Sequence, residues 1–254
     1  MSKKTILVTN DDSIVSPGIK ALVAAMRPFG RVVVVAPDNP QSGKGHAITI
    51  EKPLRLQKVD VFAGVEAYQC SGTPVDCVKL AVDKVLHAQP DLCVSGINHG
   101  SNSSINVLYS GTMSAALEAA IEGITAIGFS LLDYSFNADF TASAHYASYL
   151  ANLALNEKFE IGTLLNVNFP RLPLTNIKGI RLCRQASAKW EEEFDERIDP
   201  RGRKYYWLTG KFVNSDEAED TDEWALRNGY VSVVPVQYDL TDYNRFKALK
   251  KVLK

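Results

Sequence analysis

Four short apolar runs that lack any alternation of polar and apolar residues constrain the fold most strongly. They cover residues 5–8, 31–36, 92–95 and 125–131. A strand with one face in solvent alternates along its length, whereas continuous apolar runs of this length suit parallel strands that are covered on both faces. These runs therefore predict strands of a parallel sheet with a layer of helices on each side.

Helical periodicity fills the intervals between these runs. Apolar residues recur at i, i+3, i+4 and i+7 over residues 19–26. A second stripe begins after Thr73, the predicted N-cap, and Pro74, the predicted first helical residue. A third stripe covers residues 113–121 and ends at Gly123. Strands that alternate with helices predict an α/β fold, namely a doubly wound, mostly parallel Rossmann-like sheet with helices on both faces.

The composition changes near Ala188, where we place a boundary between an α/β core (residues 1–187) and a C-terminal extension (residues 188–254). The extension is predicted to contain a β-hairpin arm, a returning strand and a basic helix over residues 241–254. The arm "KWEEEFDERIDPRGRKYYWLTG" is charged and aromatic, with a turn signal at residues 199–202. Its aromatic side chains either cover their own domain or dock on another subunit, and we favour docking because large apolar patches usually mark interfaces.

Charge and cysteine content exclude several classes of protein. The chain has 28 Lys and Arg residues against 29 Asp and Glu residues, so no basic excess exists to bind a nucleic acid polymer. No apolar run approaches membrane-spanning length, and the N-terminus lacks a signal-peptide pattern, so we expect no membrane partner. The four cysteines form no C-x-x-C pair, which favours buried reduced thiols in a cytoplasmic protein over disulfides or zinc.

Polar side chains follow three of the apolar runs. In an open α/β sheet, ligands bind at the carboxyl ends of the strands, near a topological switch point. The residues placed there are Asp11 and Asp12 after the first run, Gln41, Ser42 and Gly43 after the second, and Asn98, His99 and Asn102 after the third. Carboxylate, hydroxyl and amide oxygens suit a hard divalent cation, Mg²⁺ or Mn²⁺, better than zinc.

A cation would also explain the adjacent carboxylates of Asp11 and Asp12, since it neutralises their mutual repulsion and lets both stay ionised. The alternative is that the two aspartates only cap the helix that begins near Pro17. We interpret His99 as a structural or supporting residue, and His46 stays unassigned.

The stretch "YSGTMSAALEAAIEG" contains a candidate anion site. Ser110, Gly111 and Thr112 lie where a loop becomes a helix, so free backbone N–H groups, the helix dipole and two hydroxyls point to one place. Plain N-capping explains these residues equally well, and only proximity to the Asp pair would favour phosphate. The sequence contains neither G-x-x-x-x-G-K-[ST] nor G-x-G-x-x-G, so neither a P-loop nor dinucleotide binding is supported.

Taken together, these segments resemble the SurE family of nucleotidases. The resemblance rests on "ILVTNDDSIVSPGIKAL", "AP" followed by "QSGKGHAIT", "SGTPVDCVKLAV", "PDLCVSGINHGSN" and "YSGTMSAALEAAIEGI", which occur in the family's order. The C-terminal stretch "TDEWALRNGYVSVVPVQYDLT" is also similar, although "VVPV" stands where the family usually has a Thr-Pro-Leu-like sequence.

The resemblance implies a metal-dependent phosphatase that acts on nucleoside 5′- and 3′-monophosphates and, in some members, on short polyphosphate. It implies one divalent cation per subunit, Mg²⁺ or Mn²⁺, and assembly into a homodimer or homotetramer through exchanged C-terminal extensions. The family's metal ligands correspond to Asp11, Asp12, Ser42 and Asn98. Its phosphate-binding residues correspond to Ser110, Gly111 and Thr112.

For the reaction, we interpret Asp11 as the general base, a role that Asp12 could exchange with it, and Asn102 as a group that holds a phosphoryl oxygen. A phosphatase with an aspartyl-phosphate intermediate needs a second acid two residues after the nucleophile, but Ser13 and Ile14 occupy those positions. Two further candidate functions stay open: a non-catalytic nucleotide- or metal-binding module, and a carbohydrate-binding or adhesion protein built on the hairpin.

Overall fold

The computed structural model describes residues 3–135, 137–156 and 159–253. The strands there are β1 (Thr5–Thr9), β2 (Arg31–Pro37), β3 (Leu56–Val59), β4 (Glu66–Cys70), β5 (Leu92–His99), β6 (Ala126–Leu131), β7 (Leu164–Phe169), β8 (Ile180–Leu182), β9 (Ala188–Ile198), β10 (Lys204–Asn214) and β11 (Val231–Val236). The α-helices there are α1 (Pro17–Met26), α2 (Pro74–Leu80), α3 (Gly111–Ile121), α4 (Thr141–Leu155), α5 (Asp222–Arg227) and α6 (Tyr243–Leu249).

Within the described residues, a nine-stranded sheet has the order β3-β4-β2-β1-β5-β6-β7-β11-β8. The strands from β4 to β7 in this order are parallel to one another, while β3 and β11 run antiparallel to β4 and β7. This architecture confirms the predicted doubly wound α/β fold. The strand β11 comes from the predicted C-terminal extension, yet it pairs inside the main sheet.

The four apolar runs form β1, β2, β5 and β6, and both faces of these strands are buried as predicted. In β1, Ile6 and Val8 face one buried cluster with residues of α1, whereas Leu7 faces another with residues of α2 and α3. This division follows from the two-residue period of a strand. Each helical layer therefore covers one side of the sheet.

Local signals place the helices well. Thr73 caps α2, because its hydroxyl accepts a hydrogen bond from the Asp76 N–H at 3.2 Å while the Asp76 side chain accepts one from the Thr73 N–H at 2.8 Å. The stripe beyond Leu80 continues as a π-helical turn over Ala81–Leu86 instead of α-helix. Gly123 has a φ of +77°, the left-handed conformation expected just after α3.

Strands β9 and β10 form the predicted hairpin, with Gly202 at φ +77° in the predicted turn. Most of its large side chains are exposed in the single chain: 66% for Phe194, 55% for Tyr206 and 58% for Trp207. Trp190 is connected to the β5–α3 segment, since its indole N–H donates to the Asn106 side chain at 2.7 Å.

The predicted terminal helix is observed as α6, and Lys254 lies outside the described residues. None of the described helices has the length and apolar character needed to cross a membrane.

Candidate active site

The candidate site lies at the topological switch point of the sheet, where the strand order proceeds from β1 in opposite directions. Strand β1 pairs with β2 on one side and with β5 on the other, so the chain segments that leave these three strands meet at one edge. They are the Asp11–Asp12 segment after β1, residues 38–55 after β2 (the β2–β3 loop) and residues 100–104 after β5 (the β5 loop). The α3 N-terminus lies at the same edge.

Asp11 joins the first of these segments to α3. Its side chain is nearly buried, and its Oδ1 accepts a hydrogen bond of 2.5 Å from the Thr112 hydroxyl. A Cβ atom on Gly111 would lie 2.8 Å from the Asp11 Cβ, so only glycine allows this close approach. Burial and then the charge of Asp12 raise the pKa of Asp11 to about 6, although the Thr112 hydrogen bonds oppose this shift.

Asp12 joins the same segment to the end of β5. The His99 N–H donates to Asp12 Oδ2 at 3.2 Å, and the His99 ring packs edge-on against Phe140 with centroids 5.0 Å apart. Burial raises the pKa of Asp12, while His99 opposes the shift. Asn98 donates its Nδ2 hydrogen to the Gly100 carbonyl at 2.9 Å, so its Oδ1 accepts no hydrogen bond from the described residues.

The β2–β3 loop, which carries Ser42, is attached to the Asp11–Asp12 segment next to Ser42. The Gln41 N–H donates to the Asp11 carbonyl at 2.7 Å, so the residue before Ser42 is attached to the Asp11 backbone, and Ser42 itself is exposed. Farther along the β2–β3 loop, His46 Nε2 lies 2.8 Å from Glu118 on α3. Glu118 is buried and also pairs with Lys79. Contacts from α2 and α3 thus hold a loop that is otherwise largely solvent-exposed.

The two hydroxyls at the α3 N-terminus are not equivalent. Ser110 Oγ is the N-cap and accepts from the Met113 N–H at 3.0 Å, which leaves the hydroxyl hydrogen available to a ligand. The Thr112 hydroxyl, in contrast, directs its hydrogen to Asp11. The sequence predicted two free donors here, and the structure provides one, together with the N–H groups of the first turn.

The oxygen atoms around the Asp pair fit a hard divalent cation. Among the described residues, no group of three or more His, Cys, Asp or Glu side chains is arranged to hold a metal ion. The predicted set contains two carboxylates supplemented by the neutral oxygens of Ser42 and Asn98, which is the donor chemistry of Mg²⁺ and Mn²⁺ rather than zinc. Burial raises the pKa of both aspartates, which means that it disfavours their ionised forms. A bound cation would stabilise those ionised forms.

Asn102 is held by buried polar side chains that sequence reasoning missed. Its N–H donates to Asn168 Oδ1 at 2.8 Å, its carbonyl accepts from Asn166 Nδ2 at 2.8 Å, and its side chain donates to Ser130 Oγ at 2.7 Å. Asn166 and Asn168 lie two residues apart on β7, so they share one face. Two asparagines at this spacing in the apolar run "LLNVNF" are a sequence signal that could have found them.

The rest of the β5 loop is held from α5, which also escaped prediction. The Ser104 N–H donates to Asp222 Oδ2 at 2.8 Å, and the Ser103 hydroxyl donates to Glu223. Asp222 is an acidic residue, yet its exposed fraction is only 1%. Contacts over more than a hundred residues of sequence carry no local signal, so these could come only from the folded structure.

Three comparisons with known proteins relate the chain to one family. The family model described as "Survival protein SurE" matches residues 6–192. A protein of Flavobacterium psychrophilum named "5'-nucleotidase SurE" is 62% identical over 250 residues, covering 98% of this chain and 97% of the relative. A protein of Christiangramia forsetii with the same name is 61% identical over 249 residues, covering 97% of this chain and 96% of the relative.

The fold has an experimental counterpart as well. The crystal structure of the SurE protein from Aquifex aeolicus superposes with a TM-score of 0.84 at 41% sequence identity, covering 98% of this chain and all of that one. The similarity therefore includes the C-terminal extension as well as the core.

Proposed function

The chain belongs to the SurE family, and from this premise we propose that it is a metal-dependent phosphomonoesterase that hydrolyses nucleoside monophosphates to nucleoside and phosphate. The names of its relatives support the 5′-monophosphates as substrates. Hydrolysis of 3′-monophosphates and of short polyphosphate belongs to the same proposal, as does a single Mg²⁺ or Mn²⁺ per subunit.

One observation carries the proposal: Asp11, the first of the two adjacent aspartates, contacts the start of α3. Thr112 donates to Asp11, and the missing Cβ of Gly111 lets the helix start press against the same side chain. The helix N-terminus favours an anionic ligand, but the two neighbouring carboxylates would repel it, and a bound cation would remove that repulsion. A phosphate ester beside a divalent cation would be compatible with both the carboxylates and the helix N-terminus, whereas capping of α3 by Asp11 alone leaves Asp12 unexplained.

The chain's own groups have separable roles in such a reaction. A cation held by Asp11, Asp12, Ser42 and Asn98 would polarise a phosphoryl oxygen and lower the pKa of a bound water. The free hydroxyl hydrogen of Ser110 and the first-turn N–H groups of α3 bind phosphoryl oxygens as their charge increases. Asn102 offers its second Nδ2 hydrogen, since the first is donated to Ser130. We assign proton acceptance from the attacking water to Asp11, with Asp12 as the alternative.

The direct test is to remove the metal from the purified protein and to restore Mg²⁺ and Mn²⁺ in turn while measuring phosphate release. The substrates are a panel of nucleoside 5′- and 3′-monophosphates and a short polyphosphate. We expect turnover only with a restored cation. Tight nucleotide binding with no phosphate release under any cation would instead establish a non-catalytic binding module.

The companion variant is Asp12→Asn, which should abolish turnover because a neutral amide binds the cation poorly. The metal-free variant should melt at the same temperature as the wild type or higher, since the substitution removes a repulsive neighbour of Asp11. Full metal-dependent activity in Asp12→Asn would show that the site is misassigned.

We also propose that the hairpin docks on another copy of the chain, giving a homodimer or homotetramer. Cross-strand pairs put Trp190 opposite Phe212 and Phe194 opposite Leu208 on one face, and an isolated two-stranded hairpin is marginal in water. Deleting residues 190–208 should shift the protein towards monomer in sedimentation velocity. A wild-type protein that sediments as a monomer at micromolar concentration would refute this part of the proposal.

A cytoplasmic location completes the proposal. All four cysteines are free and buried, which is the state expected of thiols in a reducing compartment.

A further inference from the structure

The buried carboxylate of Asp222 connects two parts of the molecule that are far apart in sequence. Asp222 is the first residue of α5 and accepts hydrogen bonds from three backbone N–H groups. They belong to Ser104 in the β5 loop at 2.8 Å, to Ala186 just before β9 at 2.9 Å, and to Glu223 at 2.8 Å. One side chain therefore holds both the β5 loop and residues 186–188 at the start of β9, which we call the root of the hairpin.

Ser104 reinforces this connection. Its hydroxyl donates to the Ala186 carbonyl at 2.8 Å, and the Ala188 N–H donates to the same hydroxyl oxygen at 3.3 Å. Ser104 has a φ of +52° and is fully buried. A non-glycine residue keeps this left-handed conformation only where its surroundings impose it. The contacts with Asp222 and the hairpin root are those surroundings.

Two residues before Ser104 lies Asn102, whose N–H, carbonyl and side chain are all hydrogen-bonded to β6 and β7. Asn102 is thus fixed from one side by the sheet and from the other by the Ser103–Ser104 backbone. This backbone is in turn tied to α5 through Asp222 and Glu223.

We propose that Asp222 is a positioning residue: through Ser104 it sets the place of Asn102 in the active site and couples that place to the root of the hairpin. The effect on turnover rests on the proposed function, since it requires that Asn102 contact the phosphoryl group. The mechanical part of the proposal is that the Asp222 carboxylate couples the β5 loop to the hairpin root, and this part does not depend on that function.

The test of the effect on turnover is the variant Asp222→Asn, combined with Asn102→Ala in a double-mutant cycle. The amide keeps the size of the side chain but replaces one of its two acceptor oxygens by an NH2 group, so the side chain can no longer hold both the β5 loop and the hairpin root. We expect kcat to fall roughly 10- to 100-fold with a smaller change in KM, because small misplacements have effects of that size. In the Asn102→Ala background the same substitution should cost almost nothing more, since both act through one group.

Thr221→Ala provides the matched control. Thr221 caps the same helix, accepting from the Trp224 N–H at 3.2 Å, but it makes no hydrogen bond to the β5 loop among the described residues. It should lower the melting temperature while leaving kcat unchanged. A loss of kcat equal to that of Asp222→Asn would overturn the proposal, as would multiplicative effects of Asp222→Asn and Asn102→Ala, because α5 would then act only through general stability.

Amide hydrogen exchange on the metal-free protein tests the mechanical part without any activity. Asp222→Asn should speed exchange at the N–H groups of Asn102, Ser104 and Ala186 together, whereas Thr221→Ala should speed it at Trp224. Wild-type exchange at both Ser104 and Ala186 in a folded Asp222→Asn variant would refute the coupling. A wild-type protein without nucleotidase activity would refute the proposed function and leave this measurement decisive.

Ser104→Gly keeps the inference testable if Asp222→Asn does not fold. Glycine adopts the φ of +52° without strain and removes only the hydroxyl that holds the hairpin root. We expect kcat to fall by about tenfold, with the loss again absent in the Asn102→Ala background. A folded Ser104→Gly protein with wild-type kcat would overturn the coupling of Asn102 to the hairpin root.

Discussion

The two loops that supply the candidate site are built in opposite ways. In the β5 loop, Asn102 is 6% exposed, Ser103 is 1% exposed and Ser104 is fully buried. In the β2–β3 loop, Ser42 is exposed, and Ile48 and Ile50 are 53% and 82% exposed. Hydrogen bonds from β6, β7 and α5 saturate the first loop, whereas a few contacts with α2 and α3 tether the second.

The difference indicates a division of labour within one site. A group that must meet charge as it develops in a transition state is most effective when its surroundings fix it in advance. A loop that contributes one neutral oxygen to a cation can close around it, and loops with few buried contacts open at little cost in free energy. We therefore expect the β5 loop to control turnover and stability, and the β2–β3 loop to control the affinity for the cation.

The largest effect should come from Asn168→Leu, which removes the anchor of the β5 loop at nearly constant volume. The buried Asn102 N–H loses its acceptor, at a cost of about 1–3 kcal/mol in the free energy of unfolding. Urea unfolding measures this loss, and kcat should fall with it. The matched variant in the other loop is Asn39→Leu, whose exposed side chain bonds only to its neighbour Asp38, so stability should change by less than about 0.5 kcal/mol. Equal losses of unfolding free energy in the two variants would show that the two loops are held equally firmly.

Sequence alone predicted the parts of this molecule that depend on local signals. The cap at Thr73 and Pro74 was correct because a capping box acts within four residues, and β1, β2, β5 and β6 were correct because their apolar runs are continuous. Strand β4, "EAYQC", was missed, since its partly exposed polar residues give no such run.

In the candidate site, too, the residues with a local sequence signal were predicted and those that depend on long-range contacts were not. The Asp pair and the α3 N-terminus were visible because each follows a recognisable element end. Asn168 and Asp222 act across 66 and 118 residues of sequence, and no local pattern specifies their partners. The π-helical turn after Leu80 differs from the predicted α-helix for a related reason: an apolar stripe shows which face is buried, and it does not fix the hydrogen-bonding pattern.

The next effect in size concerns Glu118, the buried anchor of the β2–β3 loop. Glu118→Gln removes the charge that pairs with His46 and Lys79, and it should cost about 1 kcal/mol because both partners are partly exposed. Calorimetric titration with Mn²⁺ should show weaker binding by a few-fold, since the loop carrying Ser42 is released. Glu122→Gln, at the end of the same helix, is the control and should leave Mn²⁺ binding unchanged. Unaltered Mn²⁺ affinity in Glu118→Gln would mean that the tether does not position Ser42.

The same anchor predicts a dependence of stability on pH. Burial alone would raise the pKa of Glu118, but hydrogen bonds from His46 and Lys79 outweigh it and lower the pKa below its usual value. A carboxylate with a lowered pKa stabilises the folded state above its ordinary pKa of about 4.3, and this contribution is lost as pH falls through the folded-state value. Lys79 stays charged throughout, because Glu118 raises its pKa. The stability difference between wild type and Glu118→Gln should therefore be constant near pH 7 and shrink below pH of about 4. A difference that persists at pH of about 3 would show that shape, and not charge, holds the loop.

The smallest effect should come from Gly43→Ala at the tip of the β2–β3 loop. Gly43 has a φ of +70°, and a Cβ there would meet no atom within 4 Å, so only backbone strain opposes the substitution. That strain is about 1 kcal/mol, and the lost freedom of the unfolded chain offsets about half of it or more. Gly162 has nearly the same geometry, with a φ of +79° and open space around it, but lies in the turn before β7. Both alanine variants should change the free energy of unfolding by less than about 1 kcal/mol, and only Gly43→Ala should alter the affinity for Mn²⁺. If Gly43→Ala destabilises the protein as much as Asn168→Leu does, the β2–β3 loop is as rigidly held as the β5 loop, and the proposed division of labour fails.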